Sequence, residues 1–154
     1  TVDCGTRDIE PIRHAKSLGI DVIVTDHHAV PDIIPEEVIA ILNPKRKDSA
    51  YPFPSLAGAG VAFKLLHGIL LSLEESSLLS FSERESLPER SSPSEDDKNM
   101  EFFISQTLTR YIDLASLGTV ADCMPLIGEN RTITALGLAQ MKNSESAGLR
   151  KFLE

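Results

Sequence analysis

The feature that most constrains the fold is a β-branched apolar segment, residues 20–25, followed directly by one carboxylate and two imidazoles, Asp26, His27 and His28. An apolar run with almost no polar interruption is typical of a strand buried on both faces, as in a parallel sheet. The three polar side chains after it are poor material for a core. They suit a divalent metal ion and a phosphate group. The segment therefore predicts a chemical site at a strand end.

The residues before this strand complete a β-α-β unit. Residues 1–5 have the pattern of a strand end, and residues 8–18 have helical spacing of apolar positions, with Thr6 as the expected N-cap. A β-α-β unit has parallel strands and a right-handed crossover. Asp3 and Asp26 are therefore expected at the same carboxyl edge of the sheet, where open α/β sheets bind ligands.

Five further elements are predicted from the apolar pattern. The first long helix is apolar on almost every side, which predicts a buried position, and its Lys64 and His67 argue against a membrane span. The predicted fold class is α/β, a parallel sheet flanked by helices. The elements are a strand at 38–42, a helix at 56–73, a helix at 101–117, a short strand or turn at 119–126 and a helix at 131–141.

The charge of the chain is concentrated in one segment. The net charge is −8, and nine acidic and three basic residues between positions 72 and 101 account for most of it. The acidity therefore does not exclude a polyanionic substrate elsewhere on the surface. Three segments are expected: a core with the first ligands at 1–71, an acidic Ser/Glu/Pro-rich disordered insertion at 72–100, and the rest of the domain at 101–154.

A chain of 154 residues is sufficient for one core. It begins at Thr1, in what reads as a strand end, so we expect an internal piece of a longer protein. Two cysteines, Cys4 and Cys123, do not form a disulfide framework, and a reducing cytoplasm is the expected compartment. Each follows a proposed ligand, but a free cysteine usually behaves as a small hydrophobic residue.

The candidate ligands, in order, are Asp3, residues 26–28 and Asp122. Carboxylates with imidazole, and no cysteine pairs at zinc-finger spacing, favour Mn²⁺ or Mg²⁺ over a structural zinc. Alternatives stay open at this point. Asp3 could merely end a strand and cap the next helix, and Asp113 in mid-helix competes with Asp122, although a structural role suits Asp113 better.

Several spaced motifs follow one another along the chain. They are Val2-Asp3-Cys4-Gly5, Thr25-Asp26-His27-His28, Leu42-Asn43-Pro44-Lys45, Tyr51-Pro52-Phe53, the run from Leu56 to Leu65, the run from Asp113 to Asp122, and Glu129-Asn130-Arg131. In this order they closely resemble the DHH phosphoesterase superfamily and, within it, the RecJ-type single-strand-specific DNA exonucleases. The resemblance covers nearly the whole chain apart from the acidic insertion.

The resemblance implies a partial DHH domain with a Mn²⁺ or Mg²⁺ centre. It implies that Asp3, His27 and Asp122 are metal ligands, with Asp3 bridging two ions. Asp26 would orient the site, and His28 would face the scissile phosphate. The family's first motif, which supplies the other metal's ligands, would lie before Thr1, and further domains would lie on both sides of this chain.

The function that the resemblance implies is metal-dependent hydrolysis of single-stranded DNA from 5′ ends, in repair and recombination, with this piece alone inactive. We expect Gly58, Gly60 and Arg131 to contact the nucleic acid, and no membrane partner. Two alternatives remain: a DHH hydrolase of small nucleotides or short oligonucleotides, and a non-catalytic module that binds nucleic acid with the same surface.

Overall fold

The computed structural model describes residues 3–82 and 95–154. Within these ranges short parallel strands lie beside five helices, which confirms the predicted α/β class. In chain order the elements are α1 (Ile9–Ser17), β1 (Ile23–Thr25), β2 (Ala40–Leu42), α2 (Gly58–Ser82), α3 (Glu95–Ala121), α4 (Gly128–Met141) and α5 (Ala147–Leu153).

The strands place the carboxylates as the β-α-β pattern predicts. β1 pairs in parallel with β2, with Val24 opposite Ile41. On its other side Thr25 forms a parallel bridge with Asp3. Along β1 the burial is uneven, because Val24 and Thr25 are buried whereas 44% of Ile23 is exposed. The prediction of a strand buried on both faces therefore holds only at its carboxyl end, where the site lies.

The helices form the larger part of the core. A buried apolar cluster joins the start of α2 to α3 and α4 through Leu56, Val61, Ala115 and Ile133. α3 and α4 approach closely at Gly137, where an added Cβ would lie 2.6 Å from the carbonyl oxygen of Ile112. Such close packing fixes the end of α3, and this end carries Asp122.

The structure corrects the predicted boundaries of the insertion. α2 continues to Ser82 and α3 begins at Glu95, so the segment predicted as disordered, 72–100, is helical at both ends. Residues 83–94 lie outside the described ranges. The Leu- and Glu-rich sequence has favourable helix propensity, and a helix that is already nucleated can continue through it without an apolar period.

Two further predictions are corrected. α3 does not end at Gly118 but passes through it to Ala121, so Thr119 to Ala121 are helical and only the residues after them form a turn. Thr6 is not the cap of α1, because Asp8 occupies that position and the amide of Thr6 binds Asp26 instead. Across the described ranges, none of the helices combines the length and apolar character that crossing a bilayer requires.

Candidate metal centre

Asp26 anchors the turn that follows β1. Its carboxylate is almost fully buried and accepts four hydrogen bonds. Oδ1 accepts from the backbone amides of His27 and His28, at 2.7 and 3.0 Å, and from Nδ1 of His28, at 2.9 Å. Oδ2 accepts from the amide of Thr6, at 2.9 Å. Burial by itself would raise the pKa of Asp26, but the bonds from Thr6 and His28 lower it below its usual range.

Asn43, at the end of β2, joins this turn to the start of α1. Its side-chain amide donates to the hydroxyl of Thr6, at 3.2 Å, and to the carbonyl of His28, at 3.0 Å. Its carbonyl oxygen accepts from the amide of Lys45, at 3.0 Å. The resemblance included Asn43 in a motif without giving it a role. The sequence signal that could have identified Asn43 is its position, as a polar residue directly after the predicted strand at 38–42 of a parallel sheet.

His27 is the centre of the cluster. Its side chain is buried, and its Nε2 lies 3.0 Å from Oδ1 of Asp3 and 3.4 Å from Oδ2 of Asp122. Neither approach has hydrogen-bond geometry, so neither ring nitrogen has a hydrogen-bond partner among the described residues. A buried nitrogen without such a partner is costly unless another group satisfies it. The two distances bring the predicted ligands Asp3, His27 and Asp122 together, although the first and last are far apart in the sequence.

The two carboxylates come from different kinds of element. Asp3 forms the parallel bridge beside Thr25, and an added Cβ at Gly58, the first residue of α2, would lie 2.7 Å from its Cγ. Asp122 follows the last residue of α3, and its amide donates to the carbonyl of Gly118, at 3.0 Å. The next residue, Cys123, has a left-handed backbone with φ of 53°, which turns the chain away from the helix. Thus Asp122 is held on a defined turn.

Asn130 holds the loop after this turn. It is completely buried in the first turn of α4, and its amide donates to the carbonyls of Ser55, at 2.6 Å, and Pro125, at 3.0 Å. The segment before α2 and the segment after α3 are thereby tied to one side chain. From the sequence alone, Asn130 had no predicted role beyond its place in a motif, because an asparagine in a helix is not distinctive.

His28 stands beside the cluster, with its side chain half exposed and its Nδ1 bound to Asp26. Ligand atoms of Asp3, His27 and His28 all lie within 4.8 Å of one another. The geometry therefore keeps His28 open as a ligand as well as a phosphate contact, as the candidate list from the sequence did before the resemblance assigned it to the phosphate.

The other predicted site residues are more dispersed. Gly58 lies at the cluster, against Asp3. Gly60 is buried, with the side chain of Leu56 as the nearest neighbour of an added Cβ, at 3.2 Å. Arg131 is exposed in the first turn of α4. Their contacts with nucleic acid stay predictions.

A second polar group, which sequence reasoning missed, lies at the start of α4. Glu129 accepts hydrogen bonds from the hydroxyl of Tyr51 and, at 3.1 Å, from Nζ of Lys64. Burial favours a higher pKa for Glu129, but these two donors lower it below its usual value. Burial and the carboxylate of Glu129 raise the pKa of Tyr51 above its usual range. The cluster links the segment before α2, and α2 itself, to α4.

The donor set fits a divalent cation. The buried Nε2 of His27 lies 3.0 Å from a carboxylate oxygen of Asp3 and 3.4 Å from one of Asp122, and carboxylate oxygens together with imidazole suit Mn²⁺ or Mg²⁺. The Nε2 of His27, near both carboxylates but hydrogen-bonded to neither, is the arrangement expected of atoms that share a cation rather than a proton.

Comparison with known proteins agrees with this geometry. The sequence model of the DHH family, N-terminal domain, matches residues 1–89. The single-stranded-DNA-specific exonuclease RecJ of Bacillus subtilis is 36% identical over 154 residues, and that of Salmonella typhimurium is 37% identical over 155 residues. Each match covers 100% of this chain but only 15% and 23% of those relatives.

The fold agrees as well. A crystal structure of exonuclease RecJ bound to manganese superposes with a TM-score of 0.64 and 31% sequence identity, over 97% of this chain and 30% of that one. More than half of the chain matches the family model, and the structural match extends over nearly all of it. This chain belongs to the DHH family.

Proposed function

We propose that this chain forms the metal centre of an exonuclease that hydrolyses single-stranded DNA. One observation carries the proposal: the buried Nε2 of His27 has no hydrogen-bond partner among the described residues, although it lies 3.0 Å from a carboxylate oxygen of Asp3 and 3.4 Å from one of Asp122. The substrate class comes from the RecJ relatives, of which the chain spans 15% and 23% in the two compared above. The two free cysteines fit a reducing, cytoplasmic setting.

Asp3, His27 and Asp122 would hold the cation, Mn²⁺ or Mg²⁺. Such an ion, when bound, polarises a phosphoryl oxygen and lowers the pKa of a water molecule. The chain supplies the fixed geometry. Asp3 is set by its bridge to Thr25, His27 by the turn after β1, and Asp122 by the turn after α3.

His28 would contact the scissile phosphate. Because Nδ1 lies 2.9 Å from Asp26 and donates to its carboxylate, the other ring nitrogen, Nε2, is left to face the substrate. Asp26 is thus a positioning residue, and it acts through His28 and through the backbone of the turn.

Metal binding is tested on the purified chain by titration calorimetry with Mn²⁺. Removing a ligand in Asp122→Ala should weaken binding at least tenfold. Asp21→Ala is the matched control, because Asp21 is an exposed carboxylate before β1, at the opposite edge of the sheet. If the two variants bind Mn²⁺ equally well, Asp122 is not a ligand. In His28→Ala, unchanged affinity supports the phosphate role, and a tenfold loss makes His28 a ligand.

Activity is tested by placing the chain in a relative. The chain replaces the matching segment of Escherichia coli RecJ, to which it is 36% identical over 155 residues. The chimera is given Mn²⁺ and DNA labelled at the 5′ or the 3′ end, and we expect digestion of single strands from the 5′ end. His28→Ala in the chimera should lower the rate by about a hundredfold or more, in the range of a lost acid–base or charge-stabilising group.

The alternatives give distinct results in this assay. A chimera that binds single strands but does not cleave them supports a binding module. Cleavage restricted to dinucleotides supports a hydrolase of short substrates. A folded chimera whose rate does not change in His28→Ala contradicts the role of that histidine.

A further inference from the structure

Three small residues pack between the elements that carry Asp3 and Asp122. Gly58 and Ala59 begin α2, and Gly118 lies in the last turns of α3. An added Cβ at Gly58 would overlap Oδ1 of Asp3 and lie 2.7 Å from its Cγ. An added Cβ at Gly118 would overlap the Cβ of Ala59. The start of α2 therefore touches both sides of the cluster at distances that only small residues allow.

The contact at Gly118 reaches Asp122 directly through the backbone. The carbonyl of Gly118 accepts a hydrogen bond from the amide of Asp122, at 3.0 Å. A displacement of α3 at Gly118 therefore moves the carboxylate one turn later. The buried Nε2 of His27 lies 3.4 Å from Oδ2 of Asp122 and 3.0 Å from Oδ1 of Asp3, and it has no hydrogen-bond partner among the described residues. A change in the separation of the two carboxylates therefore changes the space available to a cation beside this nitrogen.

Helix stability does not explain the glycine in α3. Glycine in a helix interior is about 1 kcal/mol less favourable than alanine. Glycine is nevertheless present at position 118, where the methyl group of an alanine would have no space. Gly68 in α2 provides the contrast, because nothing lies within 4 Å of an added Cβ there.

We infer that the contacts of Gly58 with Asp3 and of Ala59 with Gly118 set the separation of the two carboxylates, and so the geometry available to the cation. Gly58 and Gly118 are positioning residues, and the inference rests on the proposed metal centre. A methyl group at Gly118 requires a shift on the order of 1 Å to restore ordinary carbon–carbon contact. Metal–ligand distances tolerate about 0.2 Å. The expected displacement therefore exceeds the tolerance several times.

The test moves one methyl group across this contact. The variants are Gly118→Ala, the double variant Ala59→Gly with Gly118→Ala, and the control Gly68→Ala. The Mn²⁺ dissociation constant is measured by calorimetry on the full 154-residue chain. Gly118→Ala should weaken binding at least tenfold. The double variant should return to within about threefold of wild type, and Gly68→Ala should match wild type, as expected for independent sites.

A second readout does not depend on the metal: the separation of the Asp3 and Asp122 carboxylates in crystal structures of wild type and the variants. It should change in Gly118→Ala and return in the double variant. Wild-type Mn²⁺ affinity in a folded Gly118→Ala chain, or weak affinity in a folded double variant, overturns the inference. If Gly118→Ala does not fold, the double variant alone decides. If wild type binds no Mn²⁺, the proposed function fails, but the crystal structures still test the inference. A carboxylate separation that changes in Gly118→Ala and returns in the double variant supports the inference, and a separation that does not change overturns it.

Discussion

Two buried carboxylates in this molecule have opposite surroundings. Asp26, after β1, accepts four hydrogen bonds. Asp113, in α3, is completely buried but accepts one, from the amide of Leu114 at 2.7 Å, and its Oδ2 has no partner in the described part of the chain. Across the α3–α4 interface, Oδ1 of Asn130 and Oγ1 of Thr134 are also buried without described partners.

The difference in hydrogen bonding indicates which of the two aspartates stabilises the fold. Buried charges are stabilised only when they are well hydrogen-bonded, and a half-satisfied carboxylate contributes little or is unfavourable. Asp26 meets the condition with both oxygen atoms and holds three backbone amides in place. Asp113 does not, and we expect the α3–α4 interface to owe its stability to packing, as at Gly137 against Ser116, rather than to this carboxylate.

The largest expected effect is at Asp26. Asp26→Asn replaces an acceptor oxygen with a donor and leaves at least one backbone amide facing an NH₂ group. The free energy of unfolding at pH 7 should fall by about 3 kcal/mol. Urea denaturation of the variant and wild type measures the difference. A loss below about 1 kcal/mol would remove the contrast between the two aspartates.

A smaller effect is expected at Tyr51, whose hydroxyl donates to Glu129. Tyr51→Phe removes one hydrogen bond to a charged group, whereas Lys64 still pairs with the carboxylate at 3.1 Å. We expect a loss of about 1.5 kcal/mol in urea denaturation, so that Glu129, with two donors, falls between Asp26 and Asp113. Phe53→Leu, a nearby apolar change, serves as the control for packing. An unchanged stability in Tyr51→Phe would show that the number of hydrogen-bond donors does not determine how much Asp26, Glu129 and Asp113 contribute to stability.

The pH dependence of stability gives an independent measure for Asp26. Its pKa in the folded chain is lowered, so its contribution is fully present above the unfolded pKa, near 4, and is lost as the pH falls toward the folded value. The stability difference between wild type and Asp26→Asn should therefore shrink by about 1 kcal/mol between pH 5 and pH 3. Denaturation curves at each pH measure it. A constant difference over this interval contradicts the lowered pKa.

The smallest effect is expected at Asp113. Asp113→Asn keeps an acceptor for the amide of Leu114 and removes a buried charge with an unpaired oxygen. We expect a change in unfolding free energy within about 0.5 kcal/mol of zero, measured under the same conditions as Asp26→Asn. A loss comparable to that at Asp26 would show that Oδ2 has a strong partner after all.

The sequence was sufficient to place the cluster because its information is local. Each proposed ligand lies close to a predicted strand end or helix end, and β-α-β topology brings Asp3 and His27 to one edge. What it could not predict depends on tertiary contacts. Helix α3 passes through Gly118 because Ala59 occupies the space of a side chain there, so the glycine does not mark a helix end. Likewise Thr6 donates its amide to Asp26 and accepts a hydrogen bond from Asn43 instead of capping α1. No local sequence pattern predicts these two contacts.

The convergence of Asp3 and Asp122 on His27 also has a consequence for the order of folding. These carboxylates lie at nearly opposite ends of the chain, and closing so long a loop costs more entropy than forming neighbouring contacts. α3 and α4, joined by a short turn, make sequence-local contacts that form early. We therefore expect the ligand cluster to assemble last, on a framework of helices and paired strands that is already in place.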